Sequence, residues 1–321
     1  MITLNPLQSS KSSRNINNNN NNNSRTNNNS VKAFDNSNAD HINDKRNLLK
    51  YLREEKLNEF KELISKYDTS ILNVEIDNDK NTLLHEAACL NRNDKFFQIL
   101  LTDNQDINNK QNVNGLHALS LATKKCNINA IDLILKQSDK SSVFIKDNDG
   151  NNILAIATLY DFTGKCLEKL LSFILEKNRD KIKEILDNQN KKKETVFHIV
   201  AANNNIKCLK VLMNNKLNIK RSLEIDIDIN LQDEDNDMPI GLAVQRNHYE
   251  CVKEFLECDD INIKKLDNSK NSVFHYSALN GNLSILKLLF KHLKSMIEKV
   301  IQLLLLHIII YYHYYLLYHQ G

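Results

Sequence analysis

The sequence predicts an all-α solenoid of stacked helix-turn-helix repeats joined by hairpin loops. Three observations carry this. A short motif recurs as Asn81-Thr82-Leu83-Leu84-His85-Glu86-Ala87-Ala88, as Glu194-Thr195-Val196-Phe197-His198-Ile199-Val200-Ala201 and as Asn271-Ser272-Val273-Phe274-His275-Tyr276-Ser277-Ala278. Its equivalents stand in phase along the chain, at intervals of about 35 or about 43 residues. Each unit then carries a second apolar stripe at helical spacing, after a turn residue. In the motif, Thr or Ser caps a helix start, the apolar pair begins the buried stripe, and the small residues let a second helix approach.

Residues 1–45 form an Asn-rich, low-complexity tail, with an unbroken run from Asn17 to Asn23. Such a segment buries too little apolar surface to offset its ordering entropy, so disorder is expected. From Asn47, Leu48, Leu49 and Leu52 and then Leu57, Phe60, Leu63 and Ile64 fit two short helices, near 46–54 and 56–66. This reads as a degenerate first unit, 46–80, that caps the stack. The equivalents of Thr82 are His117, Asn152, Thr195, Met238 and Ser272, which set units near 81–113, 114–148, 149–193, 194–234, 235–267 and 271–293. The two long intervals place insertions in 158–193 and in 214–227. Six residues after the His position stand Asn91, Cys126, Asn204, Asn247 and Gly281. That turn needs a left-handed residue, which Gly and Asn tolerate and Cys does not. The second stripe follows, as in Ile131, Ile134 and Leu135 or Leu209, Leu212 and Met213. Asp/Asn-rich connectors such as Lys146-Asp147-Asn148-Asp149-Gly150 close each unit with a tight-turn signal.

This order of helix, turn, helix and hairpin resembles the ankyrin repeat. Thr82-Leu83-Leu84-His85-Glu86-Ala87 is similar to its TPLHxA signature, Asp147-Asn148-Asp149-Gly150 to its hairpin tip, and Asn280-Gly281-Asn282-Leu283-Ser284-Ile285-Leu286-Lys287-Leu288-Leu289 to its second helix. The resemblance covers about 46–293, six repeats plus the cap. There are departures. The signature Pro stands only at Pro239, and the signature His, kept at 85, 198 and 275, is replaced by Ser120, Ala155 and Gly241. Those three units should be less rigid, with 150–195 the least regular. The resemblance implies a non-catalytic scaffold that binds another protein on a concave surface. It also implies that Thr82 with His85, Thr195 with His198, and Ser272 with His275 are structural clamps.

The C-terminal segment 294–321 differs in character. Val300–Tyr318 is 19 residues long, with Gln302, His307 and His313 its strongly polar members. A bilayer-spanning helix needs about 20 apolar residues. Lys291, Lys294 and Lys299 before it would stay cytosolic, although mid-span histidines are costly in lipid. Three readings stand: an anchor that makes the chain a membrane-tethered adaptor, a helix that extends or caps the stack, or a gene end without evolved function.

No catalytic residue, cofactor or metal ligand is assigned. His85, His198 and His275 recur one unit apart, too far to share a metal, and the residues read as bridges from the Thr or Ser hydroxyl to the neighbouring loop. The six cysteines show no CxxC pair and read as reduced thiols on buried helix faces, in a cytoplasmic or nuclear protein or on the cytosolic face of a membrane. Met1–Pro6 shows no apolar signal-peptide core. Ser120 lacks a GxSxG setting, and no Gly-rich phosphate loop occurs. The Asp clusters lack a calcium-loop pattern and fit turns that bond their own backbone. Aligned on one edge, they would bias it toward basic partners. Lys191-Lys192-Lys193 reads as a solvated run. A net charge of +3 gives no field that favours nucleic acid, and no small-molecule substrate is expected. Candidate protein-binding residues are Asn112, Val113, Asn148, Glu234, Asn236, Asn268 and Ser269, at or beside the hairpin tips.

Overall fold

A computed structural model describes residues 34–35, 39–90, 94–102, 104–137 and 141–319; side chains are described for these except 39, 105 and 311–319. The chain builds two parallel rows of helices. A first pair, α1 (Ala39–Arg53) and α2 (Leu57–Ile64), precedes the inner helix α3 (Leu83–Cys89) and its outer partner α4 (Asp94–Leu100). A short α5 (Gln105–Asn108) fills the next connector. Then come α6 (Ala118–Lys124) with α7 (Ile128–Gln137), and α8 (Ile153–Tyr160) with α9 (Lys165–Lys177). After α10 (Ile182–Leu186) follow α11 (Val196–Ala202) with α12 (Ile206–Leu223), α13 (Pro239–Gln245) with α14 (Tyr249–Leu256), and α15 (Val273–Leu279) with α16 (Leu283–His319). Inner helices pack in the order α1, α3, α6, α8, α11, α13, α15, and outer helices as α2, α4, α7, α9, α12, α14, α16. No strand occurs among the described residues. The all-α solenoid is the observed architecture.

The core runs between the two rows. Leu83, Leu119, Ile153, Phe197 and Ile240 point inward from the inner helices, and Phe96, Ile131, Leu170, Leu209 and Phe255 from the outer ones; all are fully buried. Ala88, Ala122, Ala157, Ala201 and Ala243, also fully buried, allow the inner helices to approach. Phe60 and Phe96 pack edge to face, 5.2 Å between centroids, joining the first pair to the stack.

Several expectations change. Helix α1 begins at Ala39, inside the segment 1–45 expected to lack order. Phe34, His41 and Tyr67 pack as a three-ring cluster with centroids 5.0–5.2 Å apart, which supplies the apolar contact that composition does not reveal. Residues 1–33, including the asparagine runs, lie outside the described residues. Both insertions lengthen outer helices: α9 has 13 residues and α12 has 18, against 7 to 10 in α4, α7 and α14. The unit at 149–193, expected to be the least regular, holds α8, α9 and α10 in close succession.

The left-handed turn residues are where the spacing puts them: Asn204 (φ 53°), Asn247 (φ 60°) and Gly281 (φ 63°), with Cys126 at φ 51° despite its side chain. Asn91 lies outside the described residues. A second left-handed position recurs two residues before each inner helix cap, at Lys80, Gly115, Gly150, Lys193, Asn236 and Lys270. Gly115 is required there: a Cβ would stand 2.6 Å from the Asn148 backbone nitrogen.

At the C-terminus the outer helix continues unbroken from Leu283 to His319. It extends the last unit and does not fold over it, because Leu279, Leu283 and Phe290 stay 81%, 59% and 56% exposed. Among the described residues no helix is long and apolar enough to cross a membrane. The side chains of 311–318, the second half of the expected anchor, lie outside the described set.

Candidate protein-binding surface

The inner helices α3, α11 and α15 begin with a hydrogen-bonded clamp, while α13 starts at Pro239 without a side-chain cap. His85 Nδ1 accepts from the Thr82 backbone N–H (3.1 Å) and stands 2.8 Å from Thr82 Oγ1. His85 Nε2 then donates to the Leu116 carbonyl of the next unit, at 3.0 Å. An Nδ1 that accepts a backbone N–H carries no proton, so the ring is neutral with its hydrogen on Nε2. Thr195 and His198 repeat the geometry at 3.0 and 2.9 Å, with His198 Nε2 donating to the Asp237 carbonyl at 3.1 Å. Burial holds His198 down at about 4 and lowers His85 as well. Ser272 and His275 form the same box at 3.1 and 2.8 Å, but on the last unit the ring is exposed.

Two of the three units that lack the signature His have substitutes that do not follow its pattern. In α6 the two groups are exchanged: His117 takes the cap position and Ser120 the histidine position, with Ser120 Oγ 2.6 Å from His117 Nδ1. His117 is fully buried, its Nε2 has no hydrogen-bond partner, and burial pushes it down to about 3. In α8 one residue does both jobs. Asn152 Oδ1 accepts from the Ala155 N–H at 3.0 Å, and its Nδ2 donates to the Ile185 carbonyl at 2.7 Å.

The clamps place the hairpins in one row. Adjacent tips are joined by backbone hydrogen bonds: Val113 N–H to Asp79 O (2.9 Å), Asn148 to Asn114 (3.1 Å), Lys191 to Asp149 (2.8 Å), Glu234 to Lys192 (3.0 Å) and Asn268 to Asp235 (3.1 Å). Three glutamines at one repeat position reinforce the row. Gln111 Nε2 donates within its own hairpin to Gly115 O and onward to Lys146 O (2.8 Å). Gln189 links Lys193 O (2.7 Å) with Gln232 O (2.9 Å), and Gln232 links Asn236 O (2.6 Å) with Leu266 O (3.2 Å). Aligning the units would have shown these glutamines six residues before each cap. The connector carboxylates fold their own loops: Asp147 Oδ1 accepts from the N–H of Asp149 and Asn151, and Asp233 Oδ1 from Asp235 and Asp237. Burial raises Asp233 to about 6.

Of the candidate residues, Val113, Asn148, Glu234, Asn236, Asn268 and Ser269 are exposed on the row. Asn112 is buried: its Oδ1 accepts from the N–H of Asn114 and Leu116, and its Nδ2 donates to Asn81. Asn148 and Asn268 donate to the Val113 and Glu234 carbonyls of the preceding tips. The row is not uniformly acidic. Lys191-Lys192-Lys193 forms one tip between Asp147–Asp149 and Asp233–Asp235, so the sign of charge alternates along the edge. Behind the tips, Asn114, Leu116, Lys124, Asp147, Ile156 and Tyr160 line a cleft of about 350 Å³. Tyr160 is 39% exposed there, with Lys124 Nζ 5.0 Å from its ring centroid. Tyr160 ends the apolar run of α8, a pattern that reads as core, so sequence alone does not single it out.

The six thiols are free. Cys166, Cys208, Cys251 and Cys258 are buried, and burial raises all four, Cys208 to about 12. Such thiols are poor nucleophiles. Their lack of paired spacing holds along the chain but not in space: donor atoms of Cys126, Asp161 and Cys166 lie within 4.8 Å of one another.

A family model described as ankyrin repeats (3 copies) matches residues 215–302, from the middle of α12 into α16. No curated protein matches the chain. The matched units share their helix pairs, left-handed turns and tip ladder with the units before them, and α15 shares the clamp. Residues 215–302 carry ankyrin repeats, and the units before them are built of the same helix pairs.

Proposed function

We propose that this chain is a non-catalytic interaction scaffold that docks a partner protein along the hairpin row and the adjoining inner-helix face. Ankyrin repeats form protein-interaction domains, which supports the reading at that level. The observation that carries it further is the five-rung backbone ladder, which makes separate loops one rigid ridge beside a cleft with exposed Tyr160 and Val113. A preorganised ridge lowers the entropy of docking, and an amphipathic aromatic at a cleft is the usual anchor type. The alternating charge along the edge favours a partner segment with both signs. Six free thiols agree with work in the cytoplasm or nucleus. Partners crosslinked to the intact protein should bind Tyr160→Ala about 10-fold or more weakly, the effect of losing an anchor. The outer-face variant Lys210→Ala should bind as the parent does. Equal affinities for parent and Tyr160→Ala, with loss in Lys210→Ala, would place the interface on the other side.

A second reading, contact with a membrane through 300–318, draws on α16. Leu303–Leu306 and Ile308–Ile310 are 53–66% exposed on all sides of the helix, a distribution suited to apolar surroundings. The full chain should float with phosphatidylcholine vesicles and the Leu305→Asp/Ile309→Asp variant should stay behind. If neither floats, this reading is lost.

A further inference from the structure

The seam opened by the first insertion brings together residues that no motif search pairs. Cys126 ends the turn between α6 and α7, Asp161 ends α8, and Cys166 begins α9. One Sγ from each cysteine and one oxygen from the carboxylate lie mutually within 4.8 Å. Asp161 is 0% exposed and Cys166 1%, while Cys126 is half-buried and leaves a path from solvent. A fourth thiol flanks the group: Cys208, from the following unit, donates through Sγ to the Asp161 carbonyl oxygen at 2.9 Å.

We propose that Cys126, Asp161 and Cys166 form a binding site for a thiophilic divalent cation of the zinc class, bolting consecutive repeats together where the insertion widens the stack. Two sulfurs and one carboxylate oxygen are ligands such an ion takes, with metal–sulfur distances of about 2.3 Å and metal–oxygen distances of about 2.0–2.2 Å. Those distances put the sulfurs of a tetrahedral site roughly 3.8 Å apart, so the present group needs to contract by no more than about 1 Å. Two thiol protons leave on binding, and the thiolates and carboxylate supply three negative charges to the dication.

The placement of each donor has its own support. Asp161 is already oriented. Its Oδ1 accepts from the N–H of Thr163 and Gly164 and from the Thr163 hydroxyl, and its Oδ2 from the N–H of Leu167 at 3.0 Å. Oδ2 therefore keeps a lone pair free for an ion, while the loop fixes its direction as outer-shell bonds do at metal centres. Cys126 occupies a left-handed turn position, φ 51°, where Asn204, Asn247 and Gly281 stand in three other units. A cysteine there carries a backbone penalty that asparagine or glycine largely avoids. Beyond a weak Sγ donation to the Tyr160 carbonyl at 3.4 Å, the turn draws nothing from the thiol that asparagine or glycine would not supply.

Cobalt(II) reports such a site directly, because thiolate ligation gives strong ultraviolet charge-transfer absorption. The full chain, purified reduced and metal-free, should take up one cobalt per molecule with that absorption, lose it to zinc, and unfold at higher temperature with either ion. Cys126→Asn keeps the turn, since asparagine holds it in two other units, and should fold at least as stably as the parent without metal. It and Cys166→Ala should bind cobalt at least about 100-fold more weakly and lose the charge-transfer band. Absence of the band in the parent overturns the site, as does its persistence in both variants. A Cys126–Cys166 disulfide forming in air in place of metal uptake by the reduced chain overturns it too.

Discussion

Lowering the pH from 7 to 5 should remove about 3 kcal/mol of stability, a large share of what a domain holds in reserve. His117 and His198 are 1% and 0% exposed, and burial lowers them to about 3 and about 4. In the unfolded chain each takes a proton near pH 6.5. Below that pH the unfolded state binds protons that the folded state refuses, so stability is complete above about 6.5 and falls as the pH drops toward the folded values. Each ring contributes roughly 2 kcal/mol of loss by pH 5, and His85, lowered in the same direction by burial, adds to it. Asp233 acts the other way. Held up at about 6 by burial, it binds a proton in the folded state first and returns about 1 kcal/mol over the same interval. Urea denaturation at half-unit steps of pH measures the slope. His198→Gln keeps an acceptor for Thr195 N–H and a donor for the Asp237 carbonyl but does not titrate, so its slope should be shallower by about one proton. Parallel slopes for the two proteins would show that His198 does not couple folding to pH.

Asp260→Ala should destabilise by about 3 kcal/mol, and Lys216→Met by far less. Lys216 lies in the insertion that lengthens α12 and is 2% exposed, with Nζ 2.8 Å from Asp260 Oδ2 in the next unit and 3.6 Å from Asp226 Oδ1. Removing Asp260 leaves a buried ammonium with one partner that is itself 64% exposed. Uncompensated burial of a charge, rather than loss of attraction, sets the cost. The reverse change differs because Asp260 is 33% exposed and can be hydrated, while Met fills the aliphatic path of the lysine stem. The comparison is one of thermal or urea midpoints, at neutral pH and low salt. Equal losses in the two variants would mean that the pair stabilises through mutual attraction and that desolvation matters little.

How much could be read in advance depended on how local each feature is. The boxes of Thr82 with His85 and Thr195 with His198 lie within one helical turn, so residue type and spacing sufficed to find them. The same holds for the turns at Asn204, Asn247 and Gly281, where backbone preference and position agree. The swapped pair His117 and Ser120 was local too, but it inverts the expected order and looked like a damaged signature. Asn112 looked like an exposed tip residue. Its burial follows from which way the loop turns, and no pattern in 111–115 encodes that. Phe34 and His41 read as part of the polar tail because their partner, Tyr67, is more than 20 residues away.

The sequence by itself determined the period, the two helices of each unit, the capping of α3, α11 and α15 and the places where the period stretches. These rest on hydrogen bonds and side-chain preferences within a few residues, which composition and spacing record. Only the tertiary structure decided the ladder of Val113, Asn148, Lys191, Glu234 and Asn268, the buried Lys216–Asp260 pair, and the meeting of Cys126 with Asp161 and Cys166. Each joins residues about 35 to 45 positions apart, or joins backbone groups that every residue carries. Their contact is set by the offset with which one repeat stacks on the next, and that offset is a property of packing across the whole interface, beyond the reach of any local run of residues.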